Sequence, residues 1–286
     1  MTQIDAQEQI PLRLITLNIR YATTSPAAEE KPWEIRRPKL CSQLSFVTQG
    51  HDNAFVCLQE VLHAQLVDIQ ESLGSSWASI GRGRDDGVAA GEFSPIFYQP
   101  SKWQCERQRM YWLSETPDKP SRGWDADLNR VVTVGIFRSQ LSAARVIVMS
   151  THFDHRGTKA RIESAKLILD IAEMWTQEYG NTPVFLGGDL NSTPDDGGYR
   201  TITSPPRGMA DISELVSSER KYGNHDITYT SFGEPNETPQ RIDFLFVKEA
   251  GSRSDFLTFG ILANRFDDDI YLSDHRAVVA DVSLLL

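Results

Sequence analysis

Residues 145–191 read RVIVMSTHFDHRGTKARIESAKLILDIAEMWTQEYGNTPVFLGGDLN, and the order of elements in this stretch decides the fold class. RVIVMSTHFD carries a strand signal that runs out into polar residues, His152 and Asp154. Thr158 to Gly180 then places Ile162, Ala165, Leu169, Ala172 and Trp175 along one helical stripe, with Thr158 expected as the cap and Gly180 as the stop. TPVFLGGDLN is a second strand that opens into a loop, at Asp189 and Asn191.

The same grammar recurs upstream. LRLITLNIR (Leu12 to Arg20) alternates apolar with polar positions and ends near Asn18. WEIRRPKLCSQLSFV repeats Trp33, Leu40, Leu44 and Val47 at helical spacing, although Pro38 weakens its middle. AFVCLQEV (Ala54 to Val61) is a short continuous apolar run of the kind covered on both faces, and Glu60 closes it. HAQLVDIQESLG predicts a helix stopped by Gly74. Strand signals follow at WASIGRG, SPIFY, RQRMYWLS, RVVTVGIFR and, past the central stretch, at TYTSFG, RIDFLFVK and SDHRAVVADVSLLL; the Gly- and Asp-rich GRGRDDGVAAGEFS between them reads as a loop, either on an active-site rim or as a plain hairpin connection. No low-complexity linker divides the chain. Strand, helix, strand, then strands, given twice, predicts two sheets packed face to face with helices outside, in one domain over 1–286 with its core from about residue 12.

The 286 residues are 40% hydrophobic and 24% charged, an ordinary globular composition. Lys plus Arg number 29 against Asp plus Glu 39, a net charge of -10, so the molecule as a whole repels a polyanion. That favours a small anionic substrate, or metal ions that neutralise an acidic pocket. Cys41, Cys57 and Cys105 form no CxxC pair and no even framework, which argues against a disulfide scaffold or a structural zinc site. The N-terminal MTQIDAQEQIPLRL has neither a basic n-region nor an apolar stretch of leader length, and no later run is long enough to span a membrane. A cytoplasmic setting, with no membrane insertion and no protein partner implied, is the expectation.

Five segments end in polar residues where an apolar strand gives out: Asn18, Glu60, His152 with Asp154, Asp189 with Asn191, and Asp274 with His275. Asp243, in RIDFLFV, sits at the start of its strand instead. Taken singly, most have a plain reading: Asn18 a turn residue, Glu60 a solvated strand end, His152 a satisfied loop histidine. A whole set of acids, amides and imidazoles at the place where rigid sheets present catalytic groups is costly to assemble by chance. Hard cations such as Mg²⁺ take oxygen ligands, so Glu60, supported by Asn18 and Asp274, could hold one. Phosphoester cleavage further needs a positioned water, a base and donors for phosphoryl oxygens, roles that Asp189, Asn191 and the two histidines can fill. Asp243 is the natural partner for His275.

LNIR, LQEV, STHFDH, GGDLNSTP, RIDFLFV and LSDHRAV occur in the order and spacing of the endonuclease/exonuclease/phosphatase (DNase-I-like) superfamily, from Leu17 to Val278. The chain resembles that family over nearly its whole length. The resemblance implies an α/β four-layered sandwich of two packed mixed sheets flanked by helices, and hydrolysis of a phosphoester by in-line attack of water with one or two Mg²⁺ or Mn²⁺ ions. By the same resemblance Asn18, Glu60 and Asp274 form the metal site. His152 contacts phosphate, Asn191 is a ligand or phosphate donor, His275 pairs with Asp243, and either Asp189 or His275 is the base.

The segments 81–98 and 112–137 resemble an uncharacterised branch of the superfamily, because GGDLNSTPDD lacks the arginine of the inositol phosphatases and the RID segment lacks the tryptophan-containing lead of the relatives. Glu92, Arg130 and Asp154 are weaker substrate-binding candidates; a surface charge for Glu92 and a structural ion pair for Arg130 are the plain alternatives. His225 reads as a loop histidine, and Trp112 and Trp124 either stack on a base or sugar or belong to the core. The expected function is a phosphodiesterase or phosphatase acting on a small nucleotide, a sugar phosphate or a single-stranded nucleic-acid end. A catalytically inactive scaffold on the same fold, or a nuclease on DNA, is the alternative.

Overall fold

A computed structural model describes residues 9–180, 182–249 and 254–285. The first eight residues of the N-terminal segment read above for a leader, and Leu286 at the end of the last predicted strand, lie outside the described residues. Along the chain come β1 Gln9–Asn18, α1 Trp33–Thr48, β2 Ala54–Gln59, α2 His63–Leu73, β3 Ala78–Ile80, β4 Ile96–Tyr98, β5 Trp103–Trp112, β6 Val131–Ser139, β7 Arg145–His152, α3 Thr158–Tyr179, β8 Val184–Asp189, α4 Gly197–Ile202, β9 Ala210–Asp211, α5 Ile212–Leu215, β10 Lys221–Tyr222, β11 Asp243–Lys248, β12 Ser254–Ile261 and β13 Val278–Leu285.

Successive side chains of a strand point to opposite faces, so a strand covered on both sides must be apolar throughout. β2 meets that condition: all six residues are buried, with Phe55 and Cys57 turned to the other sheet and Ala54, Val56 and Leu58 turned to the helices. One sheet runs β10-β12-β13-β1-β2-β4-β3 and the other β5-β6-β7-β8-β11-β9. Each mixes parallel and antiparallel pairs; β1 and β2, and β7 and β8, are parallel. Their inner faces meet over Leu12, Leu14 and Phe55 on one side and Phe137, Val148 and Phe185 on the other. Ile15, Leu17, Val56 and Leu58 pack outward on α1 and α2, while Val134, Met149, Leu186 and Phe244 pack outward on α3. The result is the helix, sheet, sheet, helix sandwich that the motifs imply.

α1 runs straight through Pro38. An interior proline costs about 3 kcal/mol, but Trp33, Leu40, Leu44 and Val47 are all buried, at about 1.5–3 kcal/mol for each such side chain. α3 starts from Gly157, not from a Thr158 cap; its first amides, Lys159 and Ala160, donate to the Asp125 carboxylate at 3.2 and 2.6 Å, so the cap comes from a distant loop. TYTSFG is not a strand. Tyr229 makes only isolated bridges to Gln240 and His275, the Thr228 hydroxyl accepts the amides of Ile242 and Asp243, and Ser231 has φ 53, so side chains take up the backbone groups a ladder would use. β12, which had no expected strand, pairs with β13 through a bulge between Phe256 and Thr258 that disrupts its period of two. Among the described residues no helix is long and apolar enough to cross a membrane.

The register explains why one end of the sandwich carries the polar set. Parallel β1 and β2 finish together, Asn18 opposite Gln59, and parallel β7 and β8 finish together, His152 opposite Asp189. β11 and β13 run antiparallel to these neighbours, so their beginnings lie at the same edge, with Asp243 opposite Asp189.

Candidate active site

Asp189 occupies the middle of that edge. Its Oδ2 accepts from Asn18 Nδ2 at 3.0 Å across the gap between the sheets, and lies 3.4 Å from His152 Nε2 and 3.7 Å from His275 Nε2. Asn18 Nδ2 also donates to Glu60 Oε1 at 2.9 Å, so one amide joins the acids of the two sheets. Glu60 follows the last residue of β2 with φ 60, a left-handed conformation that costs about 1–2 kcal/mol for a residue with a Cβ. The Asn18 bond and the Tyr21 amide, which donates to Glu60 Oε2 at 3.1 Å, hold it there. Asn191 also has positive φ, at 44; its backbone amide donates to Asp189 Oδ1 at 2.8 Å, and its side-chain nitrogen meets the Phe153 carbonyl and His152 Nε2, each at 3.0 Å. Since Nε2 accepts from Asn191, the His152 proton sits on Nδ1, which is buried and has no hydrogen-bond partner. His275 Nδ1 is 2.8 Å from Asp243 Oδ2.

Of these groups Glu60, His152, Asp189, Asn191 and His275 line a cleft of ≈ 610 Å³ together with Arg20, Tyr21, Glu92, Asp127, Leu128, Arg130, His155, Tyr229, Gln240, Ile242 and Asp274. Burial, then the neighbouring Asp243 charge, pushes the Asp189 carboxyl up to about 7. Burial and Glu60 push Glu92 up to about 7 as well, and burial with Glu60 raises Asp274. Glu60 stays below the ordinary range in spite of burial, because the Asn18 amide and Arg20 favour its charge. Burial alone would lower His275, but Asp243 and Asp189 outweigh it and raise the imidazole well above its ordinary value. His152 goes the other way: burial, Arg130 and Arg84 hold it well below, as a neutral ring.

Two groupings could hold a cation. Asp189, Asp243 and His275 offer ligand atoms within 4.8 Å of one another. His275, however, already has Nδ1 on Asp243, so it could offer only the nitrogen Nε2, a softer ligand than the oxygens a hard cation prefers. Glu60 and Asp274 are oxygen donors on the cleft wall, each still with free lone pairs, and both the burial that chiefly raises Asp274 and the Glu60 repulsion that adds to it are what a divalent ion would relieve. The donor set therefore fits a hard cation better at Glu60 and Asp274, with Asn18 bridging Glu60 to Asp189 through its nitrogen.

Glu60, Glu92, Arg130, His152, Asp189, Asn191, Asp274 and His275 all reach the cleft wall; Asn18 and Asp243 stand directly behind it. Asp154 does not line the cleft. Its oxygens accept the amides of Leu128, Arg156 and Gly157 and Arg130 Nε, so it fixes Arg130 from behind. Glu92 is clamped by Arg84 through two bonds of 2.7 and 2.8 Å. The GRGRDDGVAAGEFS loop thus belongs to the rim, and Trp112, bonded to the Arg84 carbonyl at 2.7 Å, props it instead of facing substrate. His225 bonds to the Ile261 carbonyl, outside the cleft. Arg20, Tyr21, Asp127, His155, Tyr229 and Gln240 were not singled out as site residues from the sequence; Arg20 closes LNIR and His155 closes STHFDH, so their places in those motifs are the signal that could have marked them, while Tyr21, Asp127, Tyr229 and Gln240 stand in no quoted family motif.

The sequence model of the Endonuclease/Exonuclease/phosphatase family matches residues 31–275. Among solved structures the chain is similar to an endonuclease/exonuclease/phosphatase from Bacteroides vulgatus, with 32% identity, a TM-score of 0.83, and coverage of 96% of this chain and 99% of that one. It is also similar to a mannosyl-6-phosphatase from Bacteroides thetaiotaomicron, with 30% identity, a TM-score of 0.82, and coverage of 95% and 99%. Among curated proteins, Carbon catabolite repressor protein 4 homolog 5 of Arabidopsis thaliana is 32% identical over 91 residues, 28% of this chain and 20% of that protein's length. A second curated relative, uncharacterised, is matched over 55% of its length.

Proposed function

The chain belongs to the endonuclease/exonuclease/phosphatase family, and from that premise we propose that it is a divalent-metal-dependent phosphatase that releases phosphate from a small phosphorylated sugar. The observation that carries the reading is the surroundings of Asp189. A buried carboxyl at the meeting point of Asn18, His152 and His275 shares its cleft with two buried donors that have no partner, His152 Nδ1 and Arg130 Nη1. Unpartnered buried donors are costly unless a ligand satisfies them, and phosphoryl oxygens would do so.

Glu60 and Asp274 would hold the metal ion, with Mg²⁺ or Mn²⁺ suited to their oxygens. When bound, the ion supplies a Lewis acid that offsets charge on the phosphoryl group. His152 Nδ1–H and Arg130 Nη1–H bind the non-bridging oxygens. Asp189, with a carboxyl tuned to about 7, takes the proton of the attacking water near neutral pH. Of the two candidate bases it is the better placed, because His275 is kept protonated by Asp243 and serves as a cation facing the reaction. Asn191 holds Asp189 and His152 in their relative positions.

The substrate class is supported by three things. The net charge of -10 disfavours a polyanion, a cleft of ≈ 610 Å³ suits a small molecule, and a structure 30% identical and matched end to end is a mannosyl-6-phosphatase. We also read 1–286 as one domain. An intracellular, reducing setting is our reading of three cysteines without paired spacing. A screen of hexose 6-phosphates against nucleotides, a phosphodiester and single-stranded DNA, with Mg²⁺ or Mn²⁺ and an EDTA control, tests the function. EDTA-sensitive release from the sugar monoesters is expected; release confined to diesters or nucleic acid would refute the substrate class.

A further inference from the structure

Arg36 lies outside the cleft, in the first turn and a half of α1, and is almost wholly buried at 1% exposure. A buried guanidinium must find acceptors for its donors, and this one finds them on three separate backbone segments. Nη1 donates to the Ile19 carbonyl at 2.9 Å and to the Leu272 carbonyl at 2.8 Å, Nη2 to the Arg20 carbonyl at 3.0 Å, and Nε to the Lys31 carbonyl at 3.0 Å. Ile19 and Arg20 are the residues that follow Asn18, and Leu272 precedes Ser273, Asp274 and His275. The charge is balanced by Glu30, 4.0 Å away and itself bonded to Arg20.

We propose that Arg36 is the positioning residue of the site, a single side chain that ties the strand exit carrying Asn18 to the loop carrying Asp274 and His275. Neither segment is a regular element where it is held. Arg20 has φ 57, a conformation that disfavours a side chain with a Cβ, and its carbonyl is held from both sides, by Arg36 and by Gln65 Nε2 at 3.1 Å. The only other direct tie between the two segments in the hydrogen-bond network of the described residues is the Ser273 hydroxyl on the Asn18 carbonyl, at 2.7 Å. The spacing between the Glu60 and Asp274 carboxyl groups thus depends on a residue that touches neither. A buried arginine that merely stabilised α1 would need acceptors on α1 or on its own sheet. Arg36 spends three of its four bonds on the loops that carry the site. Only the metal-binding part of the test rests on the function proposed above.

Three full-length variants separate positioning from plain stability: Arg36→Met, Arg36→Lys, and Val146→Ala as a core control at the far end of β7. Amide exchange is followed at residues 19–22 and 272–275, and Mn²⁺ affinity by calorimetry. In Arg36→Met both segments should lose protection together and Mn²⁺ should bind at least tenfold more weakly. In Val146→Ala both readouts should stay as in the unmodified protein despite a lower melting temperature. Arg36→Lys keeps the charge but reaches fewer carbonyls, and should retain part of the protection and affinity. Protection and affinity in Arg36→Met that match the control would overturn the proposal. If Arg36→Met does not fold, Arg36→Lys decides it, and unchanged exchange there overturns the proposal equally. An unmodified protein that binds no Mn²⁺ would refute the metal site alone, and the exchange comparison would still decide the role of Arg36.

Discussion

At the scale of single residues, Asp189 and Asp243 face each other across an antiparallel pair, so two carboxyl groups and one imidazole share a buried space. Burial, and then the Asp243 charge, lift Asp189 to about 7 against the opposing pull of His275, and two consequences follow. Asp189→Asn should lower turnover by on the order of 10²–10⁴-fold, the usual worth of a general base, with the fold intact by circular dichroism. Metal-free protein should also respond to pH in a definite sense. A carboxyl raised above its unfolded value near 3.9 contributes stability that is complete below about 4 and is lost as pH rises through about 7. In EDTA, Asp189→Asn should therefore melt above the unmodified protein at pH 8, and the gap should shrink or vanish at pH 5; an equal gap at both pH values would count against the raised carboxyl. The motif residues at strand ends could be read from sequence because polar side chains interrupt apolar runs there. Arg84, Tyr229 and Gln240 could not, since what brings them to the rim is the path of loops with no periodicity. Asp154, expected to bind substrate, instead stands behind Arg130, off the cleft wall.

Among the elements, β7 and β8 approach each other closely beside Asp189. A Cβ added at Gly188 would lie 2.5 Å from the Thr151 carbonyl oxygen of β7, one residue from Asp189. Gly188→Ala should cost about 1–3 kcal/mol, as overpacking does, and should lower activity more than a surface change of equal stability cost; thermal melts with parallel rate measurements check both. Removing the remote cap in Asp125→Ala should destabilise α3 by about 0.5–2 kcal/mol, read as a lower melting temperature with the metal affinity unchanged. The strands flanking the site were legible because β2 is buried on both faces and reads as a continuous apolar run, while β1 alternates with a period of two before it reaches Asn18. β12 was not, since its bulge breaks the alternation, and TYTSFG was misleading, since β-branched and aromatic residues there hydrogen-bond through side chains and single bridges. The Thr158 cap failed for a similar reason: helix capping by a residue more than thirty positions away leaves no local trace.

For the whole molecule, two mixed sheets place four strand ends (β1, β2, β7 and β8) and two strand starts (β11 and β13) at one edge; Asp274 and His275, expected at a strand exit, lead into β13 instead. We propose that this edge is a metal-dependent phosphatase site with Asp189 as its base. The most direct test is phosphate release from mannose 6-phosphate by the purified protein with Mn²⁺, measured beside an EDTA control and the Asp189→Asn variant. Release that EDTA abolishes, and that Asp189→Asn loses by at least about 10²-fold, is expected. Release that persists in Asp189→Asn, or none from any phosphoester by a protein shown to bind Mn²⁺, would contradict it.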